Sequence, residues 1–241
     1  MLSMSFRLTA RFLLPSAFCL LPLLSGCTLL GAGAQMLPPP TIQAQYKKLA
    51  GEKVGVMVWA DRGMRIEWEF LQLDLANSIQ SKLQETAAPK DKNKDLKPGA
   101  PPKAAVKELQ GTTFPVLPRS IMRFQQEHPE IDGQAISEVA PRLGGLTRLI
   151  YVEVEDYTTR PDGGVELFRG DAKVTLRVVE IDPASGTAKV AYEENDVTAS
   201  FPPKSPKEGR PSLGDRRVYV GLIDALAAEI CKRFVPYEEE P

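Results

Sequence analysis

Val54-Gly55-Val56-Met57-Val58-Trp59-Ala60 is apolar at every position, so an extended chain here has no wet face. A short continuous run of this kind, rich in β-branched residues and bounded by polar ones, reads as a buried central strand. After the polar loop Asp61-Arg62-Gly63, residues 68–84 place Leu71, Leu75, Ile79 and Leu83 at intervals of four. That stripe is the apolar face of a helix lying on the sheet.

Working outward toward the C-terminus, residues 114–117 read as a short strand. Residues 119–128 read as a helix ended by Pro129. Asp132 is placed to cap a second helix running to Leu143, with Ile136, Val139, Ala140 and Leu143 on one face and Gly144 as its stop. Pro141 conflicts with that helix, because an interior proline removes a backbone donor. In residues 148–157, Ile150, Val152 and Val154 alternate with Tyr151, Glu153 and Glu155, a strand with one covered and one wetter face.

The clearest alternation sets Ala172, Val174, Leu176 and Val178 against Asp171, Lys173, Thr175 and Arg177. Asp182-Pro183-Ala184-Ser185-Gly186 supplies turn residues, and a returning strand begins at Thr187 with Ala188, Val190 and Tyr192 inward, completing an antiparallel hairpin. A proline-rich loop, residues 201–211, leads to a last helix over residues 215–234. It carries Val218, Leu222, Leu226 and Ile230 at intervals of four, with Ser212-x-x-Asp215 as its capping box. The whole is an α+β chain: a mixed β-sheet of about five strands with helices packed on it, in the order β-α-β-α-α-β-β-β-α.

The single α+β domain spans residues 49–236. Residues 86–112 interrupt it with Lys90, Lys92, Lys94, Lys97, Lys103 and Lys107 among Pro89, Pro98, Pro101 and Pro102. Such a stretch buries too little apolar surface to offset its ordering entropy and reads as a flexible, solvated insertion. Residues 237–241 form an acidic tail. Residues 27–48 contain Pro38-Pro39-Pro40 and read as a tether; its eighteen residues from Thr28 to about Gln45, at about 3.1 Å each, reach at most roughly 55 Å.

Composition narrows the chemistry. Lys and Arg number 30 against 31 Asp and Glu, and residues 1–26 contain Arg7 and Arg11 but no acid. From residue 27 onward that is 28 bases against 31 acids, net −3, with no electrostatic footprint for nucleic acid. Of the 3 cysteines, Cys19 and Cys27 lie at the N-terminal end, which leaves Cys231 without an intramolecular disulfide or thiolate metal partner. Cys231 falls one position beyond the apolar stripe and reads as an inert packed thiol. His128 is the only histidine and sits at a helix C-terminus, where the helix dipole accounts for it. Triads and multi-histidine zinc sites lack parts, so no cofactor and no metal are expected. Glu153 and Glu155 share a strand face about 7 Å apart. An enzyme or small-ligand binder using them with Asp61 requires a cleft that raises a carboxylate pKa, and the local sequence reads instead as a solvated face.

At the N-terminus, Arg7 and Arg11 precede a 13-residue apolar run over residues 12–24. This is the layout of a secretory signal, and it falls short of the about 20 residues of a bilayer span. Leu24-Ser25-Gly26-Cys27 then resembles the lipobox of bacterial lipoproteins. The resemblance implies a signal peptide over residues 1–26, cleavage before Cys27, and lipidation of its thiol and new amino terminus. Several acyl chains, at about 0.8 kcal/mol per buried CH₂, hold a protein durably. Thr28 follows where enterobacterial inner-membrane retention uses an acid, which points to the outer membrane, facing the periplasm.

The element order, with Val54-Gly55-Val56-Met57-Val58, Leu75-Ala76-Asn77-Ser78-Ile79, Ala140-Pro141-Arg142-Leu143-Gly144 before Leu149-Ile150-Tyr151-Val152, the hairpin and the closing helix, resembles a group of envelope lipoproteins. That group includes the curli-secretion lipoprotein, the penicillin-binding-protein activators and the TolB amino-terminal domain. The chain is also similar to uncharacterised lipoproteins of planctomycete-type bacteria. These resemblances imply a non-enzymatic protein-interaction or adaptor domain in the cell envelope, with an envelope protein as partner and a homo-oligomer within reach. The alternative is an auxiliary subunit of an envelope export or lipid-transport complex. The insertion lacks the alternation of a barrel strand, unlike the pore-forming curli-type members.

Overall fold

A computed structural model of the chain describes residues 40–88, 106–160, 168–203 and 214–238. The body comprises Ile42–Tyr237; of the second unit, Met1–Thr41 with Glu238–Pro241, only residues 40, 41 and 238 are described. In chain order the first elements are β1 (Thr41–Ile42), β2 (Val54–Ala60), α1 (Arg62–Glu67), α2 (Leu71–Ala87) and α3 (Pro118–Glu127). They are followed by α4 (Ile136–Val139), β3 (Arg148–Thr158), β4 (Gly170–Asp182), β5 (Thr187–Phe201), α5 (Asp215–Cys231) and β6 (Tyr237–Glu238). The architecture is α+β. A four-stranded mixed sheet runs β2-β3-β4-β5, and β1 and β6 form a separate two-stranded sheet. β2 pairs with β3 in parallel, whereas the β3–β4 and β4–β5 pairs are antiparallel.

β2 is buried on both faces, as its all-apolar sequence requires, but it lies at the end of the ladder rather than in its centre. Val54, Val56, Val58 and Ala60 enter the larger core with Leu71, Leu75, Ile79 and Leu83 of α2 and Leu222, Leu226 and Ile230 of α5. Met57 enters a second core on the opposite face with Leu149, Tyr151, Ile121 of α3 and Val139 of α4. Gly55 belongs to that side too, where a Cβ would stand 2.5 Å from the Leu146 side chain. Side chains reach the free edge of β2 at one carbonyl. Gln72 of α2 and Gln125 of α3 both donate to the Val58 carbonyl, at 2.8 and 3.1 Å. Residue 113 takes the place of a further strand at one point only, bridging Lys53 in parallel.

Other expectations are corrected by local chemistry. Residues 114–117 form no strand; Pro115 cannot donate to a ladder and Pro118 opens α3. The helix expected from Asp132 to Leu143 is instead a 3₁₀ turn at Pro129–Gly133, the short α4, and a second 3₁₀ turn at Ala140–Leu143 that starts where Pro141 removes the α-helical donor. Gly144, at φ 62°, ends it in a left-handed conformation. The loop expected at Asp61-Arg62-Gly63 opens α1. Of the stretch expected as an insertion, Ala87 still belongs to α2, and Leu109 is fully buried in the larger core; the lysines at 90, 92, 94, 97 and 103 lie outside the described residues.

In the hairpin, Ala172, Val174, Leu176 and Val178 face the larger core as expected. β5 runs on to Phe201, and an irregularity of register between Val178 and Val179 leaves Ala191 as an extra residue. Ala188 and Tyr192 consequently pack on opposite faces of the sheet, and Val190 is 41% exposed rather than inward. α5 buries its whole stripe, with Gly214 as N-cap; Ser212 of the expected capping box lies outside the described residues. Cys231 is buried, and burial pushes its thiol up to about 12.

The two glutamines share one acceptor, so each covers for the loss of the other. Replacing Gln72 or Gln125 singly by Met is expected to cost about 0.5–1.5 kcal/mol. The double variant should exceed the sum of the two, because only then is the buried Val58 carbonyl orphaned. Urea unfolding of the four proteins of this cycle checks the prediction.

Candidate functional site: an aromatic cleft

β2 and β3 run in parallel and end on the same side of the molecule. Past Ala60, Asp61 caps α1 by accepting from the Met64 amide at 2.8 Å. α1 lasts six residues, and Trp68 closes it, its amide bonded to the Met64 carbonyl at 2.8 Å. The sharp passage from α1 to α2 turns the indole inward between two tyrosines. Tyr219 of α5 stacks on it with centroids 5.8 Å apart and planes at 20°, and Tyr157 of β3 meets it edge-on at 5.4 Å.

The trio is fastened through its polar tips. Tyr157 donates to the Tyr219 carbonyl at 3.1 Å, and Tyr219 donates to Asp74 of α2 at 2.9 Å. Burial raises both phenols above their ordinary pKa, and the hydrogen bond to Asp74 raises Tyr219 further. The Trp68 indole N–H is buried with no hydrogen-bond partner. An unmade bond of this kind costs about 1–3 kcal/mol.

Outside this trio lies an open cleft of about 390 Å³, lined by Glu67, Trp68, Glu69, Phe70, Asp215, Arg216 and Tyr219. A second space of about 310 Å³ shares Glu67, Trp68 and Asp215 and adds Thr158, Thr159 and Arg160. Phe70 is 58% exposed and Ile66 74%, so the cleft mouth carries apolar surface that the fold does not use. Asp215 accepts from Thr159 at 3.1 Å and from Arg160 through both carboxylate oxygens. Arg160, and secondarily Thr159, hold its carboxyl below the usual range. Glu67 and Glu69 have no side-chain partner among the described residues.

The residues singled out by sequence lie elsewhere. Asp61 is used as a helix cap. Glu153 accepts from Arg177 at 2.7 Å, the same guanidinium reaching Glu193 at 2.8 Å and lying over the Tyr151 ring. Glu155 accepts from Thr175 and pairs with Lys173 at 3.0 Å, and these contacts, Thr175 first, lower its pKa. The environment that would make Glu155 a proton donor near neutral pH is therefore reversed. His128 caps the end of α3, against Phe124, with Nδ1 3.1 Å from Glu130 and 3.2 Å from Arg142. Among the described residues no group of three or more His, Cys, Asp or Glu side chains could hold a metal ion, and no helix is long and apolar enough to cross a membrane. Cys27 lies outside the described residues. The cleft itself was missed, although Ile66-Glu67-Trp68-Glu69-Phe70 alternates apolar and acidic residues in plain view.

The Arg160–Asp215 contact dictates a pH response. Asp215 gains these bonds only on folding, so its folded pKa lies below the unfolded value of about 3.9. The stabilisation is complete above that value and is lost as pH falls through the folded pKa. Arg160→Gln removes the larger cause. The Asp215 carboxyl carbon, followed by NMR, should then titrate at higher pH than in the parent, and the parent's thermal midpoint should drop more on going from pH 7 to pH 3. Equal titration midpoints in the two proteins contradict this assignment.

No family model matches the chain, and no curated protein matches it. Two solved dodecamers of PelC from Paraburkholderia phytofirmans, one of them a point variant, are similar to it over 79% of this chain and 96% of theirs, at 12% identity and TM-scores of 0.35 and 0.33. The hypothetical protein CT253 from Chlamydia trachomatis is similar over 75% of this chain and 98% of its own, at 17% identity and a TM-score of 0.31. At these values the site rests on the chain's own residues.

Proposed function

We propose that the protein is a lipid-anchored lipoprotein of the bacterial envelope, held at the outer membrane facing the periplasm, and that its α+β body works by contacting another protein rather than by catalysis. The observation that carries the reading is Leu24-Ser25-Gly26-Cys27 placed directly after a basic start and a short apolar run. An acylated Cys27 supplies the anchor, and the residues between it and the body, which begins at Ile42, set how far the body stands from it.

The side-chain chemistry supports the non-catalytic half. Asp215, Glu155, Glu130, Glu194 and Asp182 are all shifted downward by donors around them, which suits fixed structural carboxylates and not general acids. The cleft offers instead exposed apolar area beside free carboxylates, a composition suited to recognition.

Mass spectrometry of the amino terminus after membrane fractionation tests the anchor. The expected species begins at Cys27 and carries acyl chains, and Cys27→Ser should move the protein from the membrane fraction to the soluble one. A membrane-bound Cys27→Ser variant, or an unmodified terminus at Thr28, overturns the reading. Whole-cell crosslinking that recovers no protein partner overturns its second half.

A further inference from the structure

The cleft beside Trp68 has three properties that select an occupant together. Its wall is aromatic, with Tyr219 stacked on Trp68 and Phe70 exposed at the mouth. It is open rather than enclosed, which suits an extended chain laid across it. It is also acidic: Asp215 is balanced by Arg160, while Glu67 and Glu69 stand against Arg216 alone. Aromatic-lined grooves recognise polyproline segments, whose preformed helix loses little entropy on binding, and carboxylates beside such a groove favour flanking lysines.

That chemistry is written in the chain itself. Lys97-Pro98-Gly99-Ala100-Pro101-Pro102-Lys103 spaces two prolines by three and brackets them with lysines. We infer that the Trp68 cleft binds residues 97–103 of a second copy of this chain, the prolines against Phe70, Trp68 and Tyr219 and the lysines at Glu67 and Glu69. The inference rests on the reading that this body acts through protein contact, and names the partner.

Reach favours a second copy over the same one. α2 starts beside the cleft and carries the chain away from it over 17 residues, about 25 Å. On the return, residue 113 is bonded to Glu52 and Val54 at the start of β2, and the seven residues of β2 separate that point from the cleft end by about 23 Å. Between Pro101 and Val106 lie five residue steps, at most about 18 Å when fully extended. Val106, where the described chain resumes, lies one 3₁₀ turn from Gln110, whose carbonyl accepts from the Gly51 amide ahead of β2, so reaching its own cleft would draw residues 101–106 taut along the body, whereas another copy presents the whole motif without that cost.

The test uses the full chain carrying Cys27→Ser, with a fluorescent synthetic peptide of residues 94–104 as probe. Anisotropy titration should give saturable binding. A peptide with Ala at 98, 101 and 102 should bind at least about tenfold more weakly, and Glu67→Gln with Glu69→Gln should weaken the parent peptide by about tenfold and flatten its salt dependence. Phe70→Ala reports the aromatic contact; all three positions are exposed, and a thermal midpoint close to the parent's confirms that each variant is folded. In sedimentation velocity the chain should self-associate with increasing concentration, and excess peptide or the Glu67→Gln/Glu69→Gln variant should reverse this. A chain that stays monomeric while the peptide binds assigns the cleft to another protein and overturns the inference. So does peptide binding indifferent to the prolines or to both glutamates. Neither outcome bears on the acylation of Cys27, which the terminal mass decides separately.

Discussion

The constraint on which the structure depends is that β2 must be dry on both faces while lying at the edge of its sheet. An edge strand normally leaves a row of backbone groups to solvent. Here that solution is closed, because Val54 to Ala60 are apolar and packed between helices. The Val58 carbonyl is satisfied by amides arriving from above and below, Gln72 and Gln125. Two helices on opposite faces are thus tied to one atom of the strand between them. A buried backbone acceptor left unmade costs about 1–3 kcal/mol, which makes this closure a condition of the fold rather than an ornament.

From that closure follows the position of the cleft. Gln72 lies in the first turn of α2, so holding it against Val58 fixes where α2 begins and leaves α1 and Trp68 to bridge from the end of β2. Tyr157 and Tyr219 then have an indole to pack on, and the α5 N-terminus is brought to Arg160 through Asp215. Elsewhere charge is neutralised in sets: Arg177 between Glu153 and Glu193, Lys173 between Glu155 and Asp196, and Arg233 with Glu194. Glu67 and Glu69, flanked by Ile66 and Phe70, stand outside these sets.

Elements carried by a single periodicity were legible in the sequence. Val218, Leu222, Leu226 and Ile230 are wholly buried, and Ala172 through Val178 face the core as their alternation requires. What a hydrophobic pattern reports is how many faces of an element are covered, not which strand lies beside it in the ladder; for that reason β2 was readable as buried and misread as central. Pro141 was readable as a conflict, and its resolution into α4 and a 3₁₀ turn depends on how the second core packs against β3. The cleft was illegible for a different reason: residues 68, 157 and 219 meet only through the topology, and no local spacing announces them. Glu153 and Glu155 stood out because they are adjacent on a strand, yet adjacency without burial left them to their cations.

The far edge of the sheet constrains how this body can meet others. β5 is last in the ladder and fifteen residues long, the kind of strand that invites pairing with another chain. Its register to β4 breaks twice, at Ala191 and again opposite Thr175, where Asp196 adopts φ 60° and pairs with Lys173. Bulges of this kind twist an edge away from a regular ladder, and Lys189, Glu193 and Asp196 add charge along it. β2 at the other edge is packed between helices on both faces, with glutamines from each taking the Val58 carbonyl. With both edges blocked, backbone pairing is disfavoured on either side, and recognition falls to side chains. The exposed apolar residues at Ile66 and Phe70, next to carboxylates that form no ion pair among the described residues, are where this surface departs most from a self-satisfied one.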